Sequence, residues 1–147
     1  MDNNELDFKI QELSFKGYTC SQIIILLGQY LNETNNKILI RAMAGLANGL
    51  YIKKCGICGT LLGSFCLASI YLGKGNDNEE NNTNLYLIIS EITQWFKSEF
   101  KNIECYLLLN KINKKEVICK EIIKKTFIKL IELLNKYDID PFNIKEE

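Results

Sequence analysis

The chain contains no histidine. Imidazole is therefore excluded as metal ligand, general base or haem ligand, and any such chemistry must rest on sulfur, carboxylate or backbone groups. Its single proline, Pro141, lies near the end, so no ring interrupts a helix through the body of the chain. Net charge is missing too. Eighteen basic residues balance eighteen acidic ones, which removes the global field that draws a protein to nucleic acid or anionic lipid. There is no phosphate loop, and no Gly-x-Gly-x-x-Gly following a strand pattern, so a nucleotide-dependent enzyme has no support.

The first residues, MDNNELDFKI, carry acidic groups where an export signal carries basic ones, with no early apolar run. We expect a cytoplasmic protein. One stretch, Cys55 to Gly73, has no charge and approaches the length of a membrane span. Glycine, serine, threonine and cysteine interrupt it, and the expectation is a buried central helix with no membrane partner.

Apolar residues recur at helical spacing nearly everywhere, in a chain long enough for one core. The fold class expected is all-α, a compact single-domain bundle of about five to six helices over residues 1–147. The first helix runs from about Glu5 to Lys16, with Leu6, Ile10 and Leu13 on one face and Gly17 as its stop. Thr19 and Gln22 form a capping box for the second, which reaches Leu31. A third starts around Thr34 and finishes among Gly45, Asn48 and Gly49. The fourth begins at Gly56 or Ile57 and ends at Gly73. An Asn-rich loop covers 74–84, and a fifth helix spans Leu85 to Phe100. Cys105 to Leu109 is a short helical segment. Asn113 with Glu116 caps a last helix reaching Tyr137, and 138–147 is read as a flexible tail.

What the chain does have is cysteine, six in all. In a reducing compartment these are thiols, metal ligands or catalytic dithiols rather than structural disulfides. Cys20, in GYTCSQ, falls at the first position of the second helix. Cys58, in CGICGTLLG, falls in the first turn of the fourth. Free N–H groups and the dipole at such ends favour the thiolate, the reactive and metal-binding form. Cys55 and Cys58 make a C-x-x-C spacing, enough for a disulfide or two ligands of one metal; without a second such pair a zinc ribbon is not indicated. Cys66 lies two turns beyond Cys58, on the order of 12 Å along a helix axis, too far to bridge to it. Gly59, Gly63, Cys66 and Gly73 form a stripe of small residues that admits a neighbouring helix or a cofactor. Cys105 and Cys119 come from the C-terminal third, where packing in the core is the alternative to a place in a site.

These segments resemble the C_GCAxxG_C_C family of redox-active proteins over nearly the whole chain, from about Phe15 to Leu134. GYTCSQ matches the first family cysteine at Cys20. Cys58-Gly59-Thr60-Leu61-Leu62-Gly63 matches the family core, with Thr60 in place of the usual alanine, and the remaining two cysteines fall on Cys105 and Cys119. Cys55 and Cys66 are additions to the four. The resemblance implies redox or metal-cluster roles. Relatives fused to haem-binding segments exist, but without histidine no bis-histidine haem is expected here.

Three functions stay open at this point. Cys20, Cys58, Cys105 and Cys119 would bind an iron–sulfur cluster or another thiophilic metal, with Gly59 and Gly63 lining the cofactor, in an electron carrier or accessory subunit with a redox partner protein. Alternatively, metal-free thiol–disulfide exchange would use Cys20, Cys55 and Cys58 as its catalytic thiols. The third reading is a helical interaction module whose cysteines only pack. A homodimer through the glycine-rich helix is compatible with each, and nucleic acid is not an expected partner.

Overall fold

The computed structural model describes residues 1–52, 56–109 and 114–144. Among these it has seven α-helices and no β-strand: α1 (Asn3–Phe15), α2 (Cys20–Leu31), α3 (Lys37–Met43), α4 (Gly59–Leu72), α5 (Thr83–Phe100), α6 (Cys105–Leu109) and α7 (Lys115–Lys136). The all-α bundle expected from apolar periodicity is the fold observed. No described helix is long and apolar enough to cross a membrane.

α4 is the central element. Gly59, Thr60, Leu61, Gly63, Ser64, Leu67, Ala68, Tyr71 and Leu72 are all buried, so apolar residues occur all round it and no single face stands out. It packs on α2, α5 and α7, which explains how an uncharged stretch resides in the core. Its approach to α2 is unusually close. A Cβ on Gly28 of α2 would lie 2.4 Å from Leu67 Cδ1, and one on Gly63 would lie 3.0 Å from the Ser21 carbonyl oxygen. The small-residue stripe is thus used, at Gly63, between two helices of one chain.

Helix starts follow their caps, and here several expected boundaries move. Asp2 caps α1 by accepting from the Glu5 N–H at 2.8 Å. The capping box of α2 is present, with the Thr19 N–H donating to Gln22 Oε1 at 3.1 Å. α3 starts three residues later than expected because Asn36, not Thr34, caps it, accepting from the Leu39 N–H. It also ends early, at Met43, and two 3₁₀ turns follow, Ala44–Leu46 and Asn48–Tyr51. α5 starts at Thr83, with Asn82 as its cap. The cap expected at Asn113 lies outside the described residues.

The largest correction concerns α4, which begins at Gly59 and not at Gly56 or Ile57. Residues 56–58 are instead held extended against 103–105. Ile57 and Glu104 form an antiparallel bridge, the Cys58 N–H donates to the Ile103 carbonyl at 2.7 Å, and the Cys105 N–H donates to the Gly56 carbonyl at 2.9 Å. Those bonds compete with the first helical turn and win, since a buried N–H must have a partner.

The segment after α7, expected as a flexible tail, is tied back onto the bundle as far as Ile144. Tyr71 Oη donates to the Pro141 carbonyl at 2.7 Å. The Asn32 amide donates to the same carbonyl at 2.9 Å and to Tyr71 Oη at 2.9 Å, while its oxygen accepts from the Ile144 N–H at 2.9 Å. Asn32→Ala removes this hub and strands the Ile144 N–H. The expected result is a stability loss of about 1–3 kcal/mol, with faster amide exchange at Ile144. Unchanged exchange there would show that the hub does not hold the segment.

Candidate functional site

Three pieces of local structure position the sulfurs. Cys20 is the first residue of α2, set by the Thr19 capping box. Cys58 is the N-cap residue of α4, a consequence of the extended pairing at 56–58. Cys105 is the first residue of α6, fixed by the same pairing through its N–H. Cys119 is carried by α7, one turn inside its N-terminus. The bundle brings the N-terminal ends of α2, α4 and α6 to one end, where Cys119 joins them.

Electrostatic coupling shows that the four thiols share a neighbourhood. Burial pushes the Cys58 thiol up to about 12 from the ordinary 9.0, and the charge of Cys20 adds to the rise; the Leu61 and Thr60 backbone N–H groups pull the other way, and Cys105 raises it further. Burial also pushes Cys119 up to about 11, with Cys20, Cys105 and Glu116 raising it and Lys115 opposing. Cys105 rises for the same reasons, burial first and then Cys20, again with Lys115 opposing. Each added negative charge makes the next thiolate harder to form in a medium of low dielectric.

Cys66 differs. Only burial raises its thiol, so the charges of the other four do not register there. The structure therefore brings together Cys20, Cys58, Cys105 and Cys119, and leaves Cys66 apart. Cys55, and with it the Cys55–Cys58 pair, lies outside the described residues.

Two glycines leave room for the sulfurs. A Cβ on Gly59 would lie 2.6 Å from Cys20 Sγ, 2.8 Å from the Leu46 carbonyl and 2.9 Å from Ala47 Cα. Cys20 sulfur thus rests on the backbone immediately after Cys58. Gly49, at φ +64, would place a Cβ 2.9 Å from Cys105 Cβ. It belongs to a run of four left-handed residues, Asn48, Gly49, Leu50 and Tyr51, at φ 52, 64, 56 and 55. Such a run is costly for residues other than glycine, and here it folds the 3₁₀ segment over the site. Sequence reasoning placed Gly49 only at a helix end. The Asn48-Gly49 dipeptide was the available turn signal. Gly63 sits one turn along α4, against α2 at Ser21 and Ile24, and serves the helix contact.

The family described as "Putative redox-active protein (C_GCAxxG_C_C)" matches residues 18–133. The chain belongs to this family. No curated protein and no solved structure matches it. In the C_GCAxxG_C_C frame, the core motif coincides with the start of α4, where the N-cap cysteine and the next glycine meet Cys20. Thr60, in the alanine position, is buried.

Four sulfur donors in one neighbourhood fit a thiophilic group in donor chemistry. A tetrahedral zinc, with bonds of about 2.3 Å, draws its sulfurs to roughly 3.8 Å apart. Among the described residues no three cysteine or carboxylate groups could hold a metal ion.

Two outcomes follow for the metal-free protein. Because the folded-state values of Cys58 and Cys119 are raised, their neutral thiols favour the fold fully below about pH 9, and that contribution is lost as pH climbs towards 11 to 12. Unfolding midpoints measured from pH 8 to 11 should fall, and less steeply in Cys58→Ala; equal slopes would contradict the burial of that thiol. Gly59→Ala must displace Cys20 or the Leu46–Ala47 backbone. A destabilisation of about 1–3 kcal/mol is expected, accompanied by a changed rate of Cys20 alkylation. Wild-type stability and rate would rule out the close contact.

Proposed function

We propose that the chain is a redox protein whose working unit is the cluster Cys20, Cys58, Cys105 and Cys119, and that these four thiolates hold an iron–sulfur cluster. The observation that supports this is the electrostatic coupling of Cys58, Cys105 and Cys119 to Cys20. Without a cation, charge on Cys20 raises the thiols of all three, and charge on Cys105 raises those of Cys58 and Cys119; a positive metal centre would relieve that repulsion. When bound, such a group supplies one-electron redox chemistry.

The chain's own residues have definable tasks in this reading. The N–H groups of Leu61 and Thr60, at the start of α4, favour negative charge on the Cys58 sulfur, and hydrogen bonding or N–H dipoles towards ligand sulfur tune a redox potential. Burial of Cys58, 7% exposed, excludes water from that side. Gly59 keeps side-chain atoms away from the Cys20 sulfur. The absence of a general base among these residues suits an electron carrier or accessory subunit, working with a redox partner in the cytoplasm.

A second reading is favoured by one contact, Cys20 Sγ against the residue following Cys58. It is a metal-free dithiol in which Cys20 and Cys58 exchange a disulfide. The raised thiol of Cys58 weighs against it, because the thiolate is the attacking form.

Anaerobic purification with a visible spectrum, and iron and acid-labile sulfide measured on the same sample, separates the two. The expected result is coloured protein with iron and sulfide in near-integral ratio, and loss of colour in serine variants at each of the four cysteines but not at Cys66. Colourless protein with every thiol titratable would sink the cluster reading.

A further inference from the structure

A cavity of about 580 Å³ opens beside the thiol cluster. Of the four family cysteines, only Cys20 and Cys119 line it, so the sulfur site has one accessible edge there while Cys58 is sealed behind it. Phe15 and Tyr18 stand on the rim, 82% and 37% exposed. Lys115 and Lys120 border the same opening, together with one acidic residue, Glu116.

Charge pairing along α7 changes at this opening. Lys124, Lys125, Lys129 and Lys136 each meet a carboxylate, at Asp7, Glu99, Glu132 and Glu91 respectively. Lys115 and Lys120 have no such partner among the described residues, and Lys120 Nζ lies 5.8 Å from the Phe15 ring centroid. Unneutralised cations beside exposed aromatics, over the accessible edge of a reactive site, complement an acidic surface with an apolar centre.

We propose that this opening is where an acidic electron-transfer protein docks, its carboxylates meeting Lys115 and Lys120 and its apolar surface covering Phe15 and Tyr18. The assignment rests on the thiol cluster being the redox centre. A small molecule inside the cavity would leave the largely exposed Phe15 ring in water, whereas a protein surface covers it.

The test uses the whole chain as purified, with flavodoxin as an acidic probe protein and Lys115→Glu/Lys120→Glu as the charge reversal. Wild-type binding should be measurable at low salt and weaken as salt rises. The double variant should lose about tenfold or more in affinity, the lower range of electrostatic effects on association. Phe15→Ala should weaken binding with the charge unchanged. A second readout uses metal-free protein and two aryl disulfides, dianionic dithionitrobenzoate and neutral dithiodipyridine. In each, the Cys20 sulfur loses its proton to water and displaces one aryl thiolate, forming a mixed disulfide. The charge reversal should slow the dianionic reagent at Cys20 by a larger factor than it slows the neutral one. Flavodoxin binding that survives charge reversal would overturn the proposal. So would a charge effect confined to the small reagents, which would mark the opening as a site for small anions. Iron and sulfide content, measured on the same samples, reports on the cluster reading separately: iron-free protein with charge-dependent flavodoxin binding fails that reading and keeps the docking site.

Discussion

The structure depends on how closely α2 and α4 approach each other. Gly63 lets the α4 backbone settle near the Ser21 carbonyl, and Gly28 makes room for Leu67. That contact fixes the relative position of two helix N-termini, and a cysteine stands at each. Any side chain at Gly59 would meet Cys20 sulfur and the Leu46–Ala47 backbone together. The glycines of the family core therefore have a steric meaning. Gly59 lets the start of α4 approach the Cys20 sulfur, and Gly63 lets α4 lie against α2 at Ser21 and Ile24.

The short antiparallel pairing between 56–58 and 103–105 is the second constraint. It ties the start of α4 to the start of α6, and so couples Cys58 to Cys105 through backbone hydrogen bonds that do not depend on their own side chains. With the left-handed run at Asn48–Tyr51 packed on Gly56 and Cys105, this end of the bundle is built from irregular backbone, while the opposite end is closed by hydrogen bonds from Asn32 and Tyr71. Loops that position reactive groups on a rigid helical scaffold are a common division of labour.

Burial and mutual repulsion act in the same direction on the thiols. Both keep Cys58 and Cys119 protonated in the absence of a cation, so the site is poorly suited to exposing several thiolates at neutral pH. At Cys58 the Leu61 and Thr60 N–H groups at the start of α4 oppose the rise. Cys66, though on the same helix as the family core, lies apart from the other four because two helical turns carry it away from that end.

Much of this was legible in the chain itself. The period of its apolar residues determined an all-α fold, the Thr19–Gln22 pair determined where α2 begins, and the order of GYTCSQ, CGTLLG, Cys105 and Cys119 carried the family. These are local properties, expressed by residues a few positions apart. What only the tertiary structure decided was long-range. The partners of the Cys58 and Cys105 N–H groups lie some fifty residues away in the chain, so the start of α4 at Gly59 could not be read from helical pattern. Asn32 gathers the segment at Pro141 and Ile144 from across the chain, which no composition of the tail announces. The meeting of four sulfurs, and the exclusion of Cys66, follow from which helix ends pack together, because proximity between distant residues is set by packing and not by spacing.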